Sequence, residues 1–260
     1  MVRLLAVLVL AALAGVLLWQ RHGMPRDWHS DLSRAECCLD VVHAGGLWEG
    51  RPYTNGHATA RASAAEGRTL IELDFLLTTD GALVTAHDWD ALGGAPLSLV
   101  EAMARTDPVP FDMPGLLDFL EDCAACRIVT DTKDPFGPFL DRLVDAVPPD
   151  VLRDRFVVQV YSPAEGREVA GRLPGQPLIF TAYKMAEVTD AELDALLALP
   201  ALAAFTMPLD RVASLAPRIH ARAPGFPILA HGPPERMARP AVLAAARRAG
   251  ATGFYLDARP

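Results

Sequence analysis

Thr69-Leu-Ile-Glu-Leu-Asp-Phe-Leu-Leu-Thr-Thr-Asp-Gly-Ala-Leu-Val-Thr-Ala-His-Asp-Trp89 is the stretch on which the reading of this chain turns. Residues 69–75 are apolar and strand-like, yet they carry Glu72 and Asp74 two positions apart. Residues i and i+2 of a strand point to the same face. Two carboxylates on one buried face repel each other and are costly to desolvate unless a cation sits between them. Thr79-Asp80-Gly81 reads as a tight turn, and 83–86 as a short return strand that delivers His87 and Asp88. The stretch gathers two hard oxygen ligands and an imidazole about one point, the outline of a metal-assisted hydrolytic site.

On either side of it, short apolar runs alternate with alanine- and leucine-rich helical segments. The pattern predicts strands at 39–43, 69–75, 127–132, 156–161, 177–182, 203–207, 226–230 and 253–257. It predicts intervening helices that include 55–66, 114–122, 138–147, 190–199 and 234–249. Eight strands joined by helices argue for an α/β architecture with a parallel (β/α)8 barrel, for which the length of 260 residues suits a single domain. An open doubly wound sheet is the alternative, because periodicity does not show closure. Little chain follows the eighth strand, and 31–36 is the candidate to cover the gap left by a missing outer helix. Residues 91–111 form a long connection with room for one short helix, on the face where barrel loops carry chemistry.

Composition narrows the function. Hydrophobic residues make up 51% of the chain, ample for a large core, and the formal net charge of −8 argues against a nucleic-acid partner. Residues 4–19 are an unbroken apolar stretch flanked by Arg3 and by Arg21-His22. They are short for a spanning helix and long for a signal-peptide core, and no good cleavage site follows. We read 1–22 as a signal-anchor in preference to a cleaved signal peptide, 23–36 as a linker and 37–260 as the barrel. The expected location is membrane-anchored on the periplasmic or exterior side, or secreted if the segment is cleaved. Four cysteines, Cys37, Cys38, Cys123 and Cys126, permit three pairings. A cross-bridge at the barrel bottom and buried free thiols are both open; a zinc or thioredoxin-like site is disfavoured by the spacing and by the strand that follows.

Strand ends supply the candidate site, since the carboxyl-terminal mouth of a parallel barrel is where active sites lie. His43 ends the first predicted strand, Glu72 and Asp74 the second, and Asp131 and Lys133 the third. His231 follows the seventh and Asp257 ends the eighth. Asn55 reads as the N-cap of a helix that binds ligand only incidentally, and Asp88 as a residue that orients His87 or serves the turn.

His43-Ala-Gly-Gly46, Tyr53-Thr-Asn55, Glu72-x-Asp74, Thr78-x-Asp80-Gly81's turn and His87-Asp-Trp89 together resemble the glycerophosphodiester phosphodiesterase family, in its His-Ala-Gly-Gly branch. That family is related to the phosphatidylinositol-specific phospholipases C and implies a (β/α)8 barrel. The resemblance implies that His43 and His87 are the acid–base pair and that Glu72, Asp74 and Asp131 hold a divalent cation. Asp131 stands where the family usually has a glutamate, one methylene longer. Three carboxylates suit Ca²⁺ or Mg²⁺ better than zinc. Lys133, Tyr161, Lys184 and His231 are the expected substrate-binding residues, with Tyr183 beside them where the family shapes its headgroup pocket.

One departure stands out. The arginine that the family places directly after its first histidine, as a phosphate ligand, is Ala44 here. Lys133, Lys184 or His231 is expected to compensate, or the substrate differs from simple glycerophosphodiesters. The implied function is hydrolysis of glycerophosphodiesters, or related phospholipid-derived phosphodiesters, to an alcohol and glycerol phosphate. The alternatives are a phospholipase-like lyase that releases a cyclic phosphate, and a non-catalytic barrel that binds a phosphorylated headgroup.

Overall fold

The parallel strands close on themselves. The computed structural model describes residues 39–258 except Thr106 and Ala186, so 1–22, the linker, Cys37 and Cys38 lie outside the described residues. Eight strands form the barrel: β1 (Leu39–Val42), β2 (Leu70–Leu77), β4 (Arg127–Thr132), β5 (Phe156–Val160), β6 (Leu178–Thr181), β7 (Leu202–Pro208), β8 (Ile228–His231) and β9 (Gly253–Leu256). A ninth, β3 (Leu83–Thr85), pairs antiparallel with the upper end of β2. Closure is made at β1, where Val42 lies opposite Leu256 of β9 on one side and Ile71 of β2 on the other. The open sheet is thereby excluded.

Alternation along the strands builds two separate apolar layers. Val41, Val129, Val157, Ile179, Ala204, Leu229 and Tyr255 pack together inside the barrel. Phe75, Phe156, Phe180, Phe205 and Phe254 belong to the larger layer between the strands and the surrounding helices. On β2 this alternation turns Leu73 and Phe75 outward and leaves Glu72 and Asp74 inside.

The outer ring comprises α1 (His57–Ala65), α2 (Leu99–Arg105), α3 (Met113–Asp122), α4 (Phe136–Ala146), α5 (Pro149–Arg155), α6 (Pro163–Arg172), α7 (Asp190–Leu197), α8 (Leu209–Arg222), α9 (Pro234–Met237) and α10 (Pro240–Arg248). Local chemistry starts several of them. Asp112 and Ser162 accept hydrogen bonds from the first turns of α3 and α6, and Thr189 with Glu192 forms a reciprocal capping box on α7. The single helix expected over 234–249 is two. Pro240 pushes Arg239 out of helical geometry, to φ −100° and ψ 109°, and α10 starts afresh behind it.

Two further expectations are corrected. Asn55 does not cap α1: the capping position is Gly56, and the Asn55 side chain is committed elsewhere. The cross-bridge between the two cysteine pairs is replaced, for Cys123 and Cys126, by a disulfide between those two residues. Their Cα atoms are 5.3 Å apart across the turn from α3 into β4, within ordinary disulfide reach. Among the described residues no helix is long and apolar enough to cross a membrane.

Arg68 fastens the closing strands. Buried just before β2, its guanidinium donates to the carbonyls of Leu256 and Asp257 at the end of β9. Removing it leaves two carbonyls without these donors. Arg68→Met is expected to cost about 3 kcal/mol and lower Tm by roughly 10 °C, as read by calorimetry; a loss of a degree or less would show the clasp to be dispensable.

Candidate active site

β2 and β4 are in register so that Asp74 lies directly opposite Asp131, with Glu72 two residues earlier on the same inward face. Glu72 and Asp74 are almost fully buried. One carboxylate oxygen from each of Glu72, Asp74 and Asp131 lies within 4.8 Å of the others. Such crowding is electrostatically expensive, and the neighbours show how it is met. Lys133 Nζ lies 2.8 Å from Asp74 Oδ1 and 2.7 Å from Asp131 Oδ2. Asn55 donates from Nδ2 to Asp74 Oδ2 at 2.7 Å and accepts from the Asp74 N–H at 2.8 Å. The Ala44 N–H donates to Glu72 Oε2 at 2.7 Å.

These partners do not remove the strain. Burial, then the charges of Asp74 and Asp131, pushes the Glu72 carboxyl well above the usual range. Burial and Asp74 push Asp131 up to about 6. Asp74 goes the other way: burial opposes its charge, but Lys133 and the Asn55 hydrogen bond hold it low. Burial likewise opposes the Lys133 charge, and the two aspartates outweigh it and keep the ammonium protonated. An all-oxygen donor set with two carboxylates disfavoured in their charged forms fits a hard divalent cation.

The backbone that supplies these contacts is contorted. Ala44, Tyr53 and Asn55 all have left-handed φ values, of 46°, 60° and 52°. Gly46, at φ 109°, admits no side chain, since a Cβ there would come within 2.5 Å of Ser63 Oγ. The Asn55 N–H donates to the Ala44 carbonyl and Thr85 Oγ1 donates to the Asn55 carbonyl, so the loop is tied to both itself and β3.

The two histidines stand at the rim, each with a carboxylate on Nδ1. His43 Nδ1 is 3.1 Å from Asp257 Oδ1, and His87 Nδ1 is 2.8 Å from Asp88 Oδ2. A carboxylate only accepts, so Nδ1 carries the proton and Nε2 is left to exchange one. His43, His87, Glu72, Asp131, Lys133 and His231 line one cavity of about 390 Å³. Burial, followed by the charges of His43 and Lys133, pushes His231 down to about 4, so near neutrality it is an uncharged imidazole.

Tyr161 and Lys184 do not line this cavity. The Tyr161 hydroxyl donates to the Thr132 carbonyl, and Lys184 Nζ sits 3.6 Å above the Tyr161 ring. None of the three groups expected to replace the absent arginine therefore offers an unengaged positive charge to the cavity: Lys133 is paired, His231 is neutral, and Lys184 lies outside. Sequence reasoning gave no site role to Tyr53, Gln159, Thr181, Thr206 and Tyr255, which also line the cavity beside Tyr183. Strand alternation carried the signal for four of them, each on an inward position near a strand end. Tyr53 stood in the Tyr53-Thr-Asn55 motif, but nothing there gave it a role, since its place depends on the left-handed loop.

No family model and no curated protein matches this chain. Solved structures do. It is similar to a glycerophosphodiester phosphodiesterase from Thermotoga maritima, with TM-score 0.65 and 14% identity over 85% of this chain and 94% of that one. A glycerophosphoryl diester phosphodiesterase from Parabacteroides distasonis gives TM-score 0.62 and 17% identity over 88% of each chain. An Oleispira antarctica phosphodiesterase, solved with the product sn-glycerol-3-phosphate, gives TM-score 0.63 and 14% identity over 86% of this chain and 95% of that one. The chain has the closed barrel fold of these glycerophosphodiester phosphodiesterase structures.

Proposed function

We propose that this protein is a divalent-metal-dependent phosphodiesterase that hydrolyses glycerophosphodiesters, or related phospholipid-derived phosphodiesters, to an alcohol and glycerol phosphate. The observation that carries the reading is the pair of carboxylate-anchored histidines sharing one cavity with Glu72 and Asp131, which cluster with the buried Asp74. The product held by the similar Oleispira antarctica enzyme supports a small phosphodiester as substrate.

His43, oriented by Asp257, takes the proton of the glycerol hydroxyl next to the phosphate at Nε2. His87, oriented by Asp88, protonates the departing alkoxide. The hydroxyl oxygen attacks phosphorus, the alcohol leaves, and the cyclic phosphate that results is opened by water with the two roles exchanged. Glu72, Asp74 and Asp131 are the residues to hold Ca²⁺ or Mg²⁺, which supplies Lewis-acid polarisation of the phosphoryl oxygen when bound. The charge that the phosphate lacks at Ala44 is then met from the floor of the cavity.

We further propose that the apolar segment 4–19 tethers the barrel to a membrane on the exported side, a location compatible with the Cys123–Cys126 disulfide. The full-length chain should fractionate with membranes and leave them only with detergent; recovery in the wash would remove the anchor.

Turnover of bis(p-nitrophenyl) phosphate and a panel of glycerophosphodiesters tests the reaction. Activity should need Ca²⁺ or Mg²⁺, vanish with EDTA, and fall at least about 100-fold in His43→Ala and His87→Ala. Full turnover in EDTA or in either variant would sink the mechanism. Phosphorus NMR should show the cyclic phosphate only in passing; its persistence would mark a lyase.

Cation binding has a readout apart from turnover. Burial and Asp74 push Asp131 up to about 6 in the fold against 3.8 for the ordinary group, so between those values the metal-free fold binds more protons than the unfolded chain. Its contribution to stability therefore falls as pH rises from about 4 to about 6 and stays lost above. At pH 7.5 a cation at 100 times its Kd should restore about 2.7 kcal/mol and raise Tm by roughly 5–10 °C, but little at pH 4. Asp131→Asn should lose most of that rise; an equal rise in the variant would place the cation elsewhere.

A further inference from the structure

Tyr53 stands where the two imidazoles meet the same wall. Its ring centroid is 4.8 Å from that of His43, at an interplanar angle of 81°, and 4.9 Å from that of His87, at 62°. Among the described residues His43 and His87 share no ring contact of their own, so one aromatic plate touches both. Each imidazole has a carboxylate on Nδ1, and a single hydrogen bond leaves a histidine ring free to rock, because its χ2 torsion is broad. His43 has a second, more distant edge contact with Tyr255 at 6.3 Å. Edge-to-face packing against a fixed ring removes that freedom.

The backbone that carries the ring is held from behind. Tyr53 holds φ 60°, a left-handed conformation uncommon outside glycine, and Asn55 two residues on holds φ 52°. Such backbone persists only where its surroundings over-determine it, and strain of this kind collects at functional sites. Here Asn55 grips Asp74 through both its side-chain atoms, and the Thr54 and Thr59 hydroxyls lie 2.9 Å apart. The strap is thus bolted to β2, the strand that carries the acids. Burial and the nearby Asp257 and Asp74 carboxylates raise the phenol above its ordinary range, so Tyr53 meets the histidines as a neutral ring.

We propose that Tyr53 is a positioning residue whose ring sets the orientation and spacing of His43 and His87 together, linking them to Asp74 through the 53–55 strap. The assignment rests on the phosphodiesterase reading of the same cavity. Acid and base must face opposite sides of one phosphorus, and a displacement of about 1 Å costs on the order of 100-fold in rate. One rigid ring between them fixes both at once, which two independent aspartate contacts do not.

Tyr53→Phe and Tyr53→Ala in the full-length protein provide the test. The phenylalanine variant keeps the plate and should stay within about threefold of the parent in kcat. The alanine variant should lose about 10–100-fold in kcat with KM changed by less than about threefold, at unchanged Tm. In carbon–proton spectra of the imidazoles, alanine should move the ring resonances of both His43 and His87, whereas phenylalanine should leave both near their parent positions. Full kcat in the alanine variant, equal impairment by phenylalanine, or movement of only one histidine would overturn the proposal. Were the parent to turn over no phosphodiester, the phosphodiesterase reading would fail on its own, and the spectra would still decide whether Tyr53 holds both rings.

Discussion

Three carboxylates share the inside of one barrel wall, and the local structure is organised around that repulsion. Asp74 and Asp131 are placed opposite each other by the register of β2 and β4, and Glu72 by the two-residue pleat, so none can turn away. Each neighbour that approaches brings a donor: Lys133 from just beyond the end of β4, Asn55 from the loop after β1, and the backbone N–H of Ala44. The left-handed turns at Ala44 and Asn55 are the geometry that lets a loop from β1 reach acids on β2. Burial, with the repulsion among the acids, still raises Glu72 and Asp131 above the usual carboxylate range despite these donors.

The acid cluster also bears on Ala44. A side chain here starts from a buried Cα whose N–H is spent on Glu72. The turn contributes a donor to the acid cluster rather than a cation to the cavity.

Much of this was legible in the sequence because period-two patterning and strand-end position are local. Glu72, Asp74, the return strand and His87 lie within one short segment, and Asp131 and Lys133 repeat the same spacing on the next barrel strand. The eight strands were found to within a few residues, since Pro177 and Pro227 stand at strand entrances that hydrophobicity alone runs across. What was not legible depends on long-range closure or on backbone outside the ordinary basins. Asn55 has the composition of a helix cap, and only its φ of 52° turns its amide onto Asp74. Tyr161 and Lys184 follow strands as cavity residues do, but a carbonyl and a ring claim them first. The break at Arg239 was written in Pro240, hidden within an otherwise continuous helical pattern.

The His43–Asp257 contact joins residues 214 positions apart, across the seam where β1 meets β9. Its counterpart, His87–Asp88, is made by adjacent residues. One of the two histidine–carboxylate pairs can thus form within a hairpin, whereas the other exists only after the last strand has docked against the first. Maturation of the site is consequently all-or-none with respect to the ring of strands. A chain still emerging during synthesis, or one cut short before β9, possesses the acids and one anchored imidazole but no oriented partner for it. The complete pair of anchored imidazoles is in this way a built-in report that the polypeptide has finished folding.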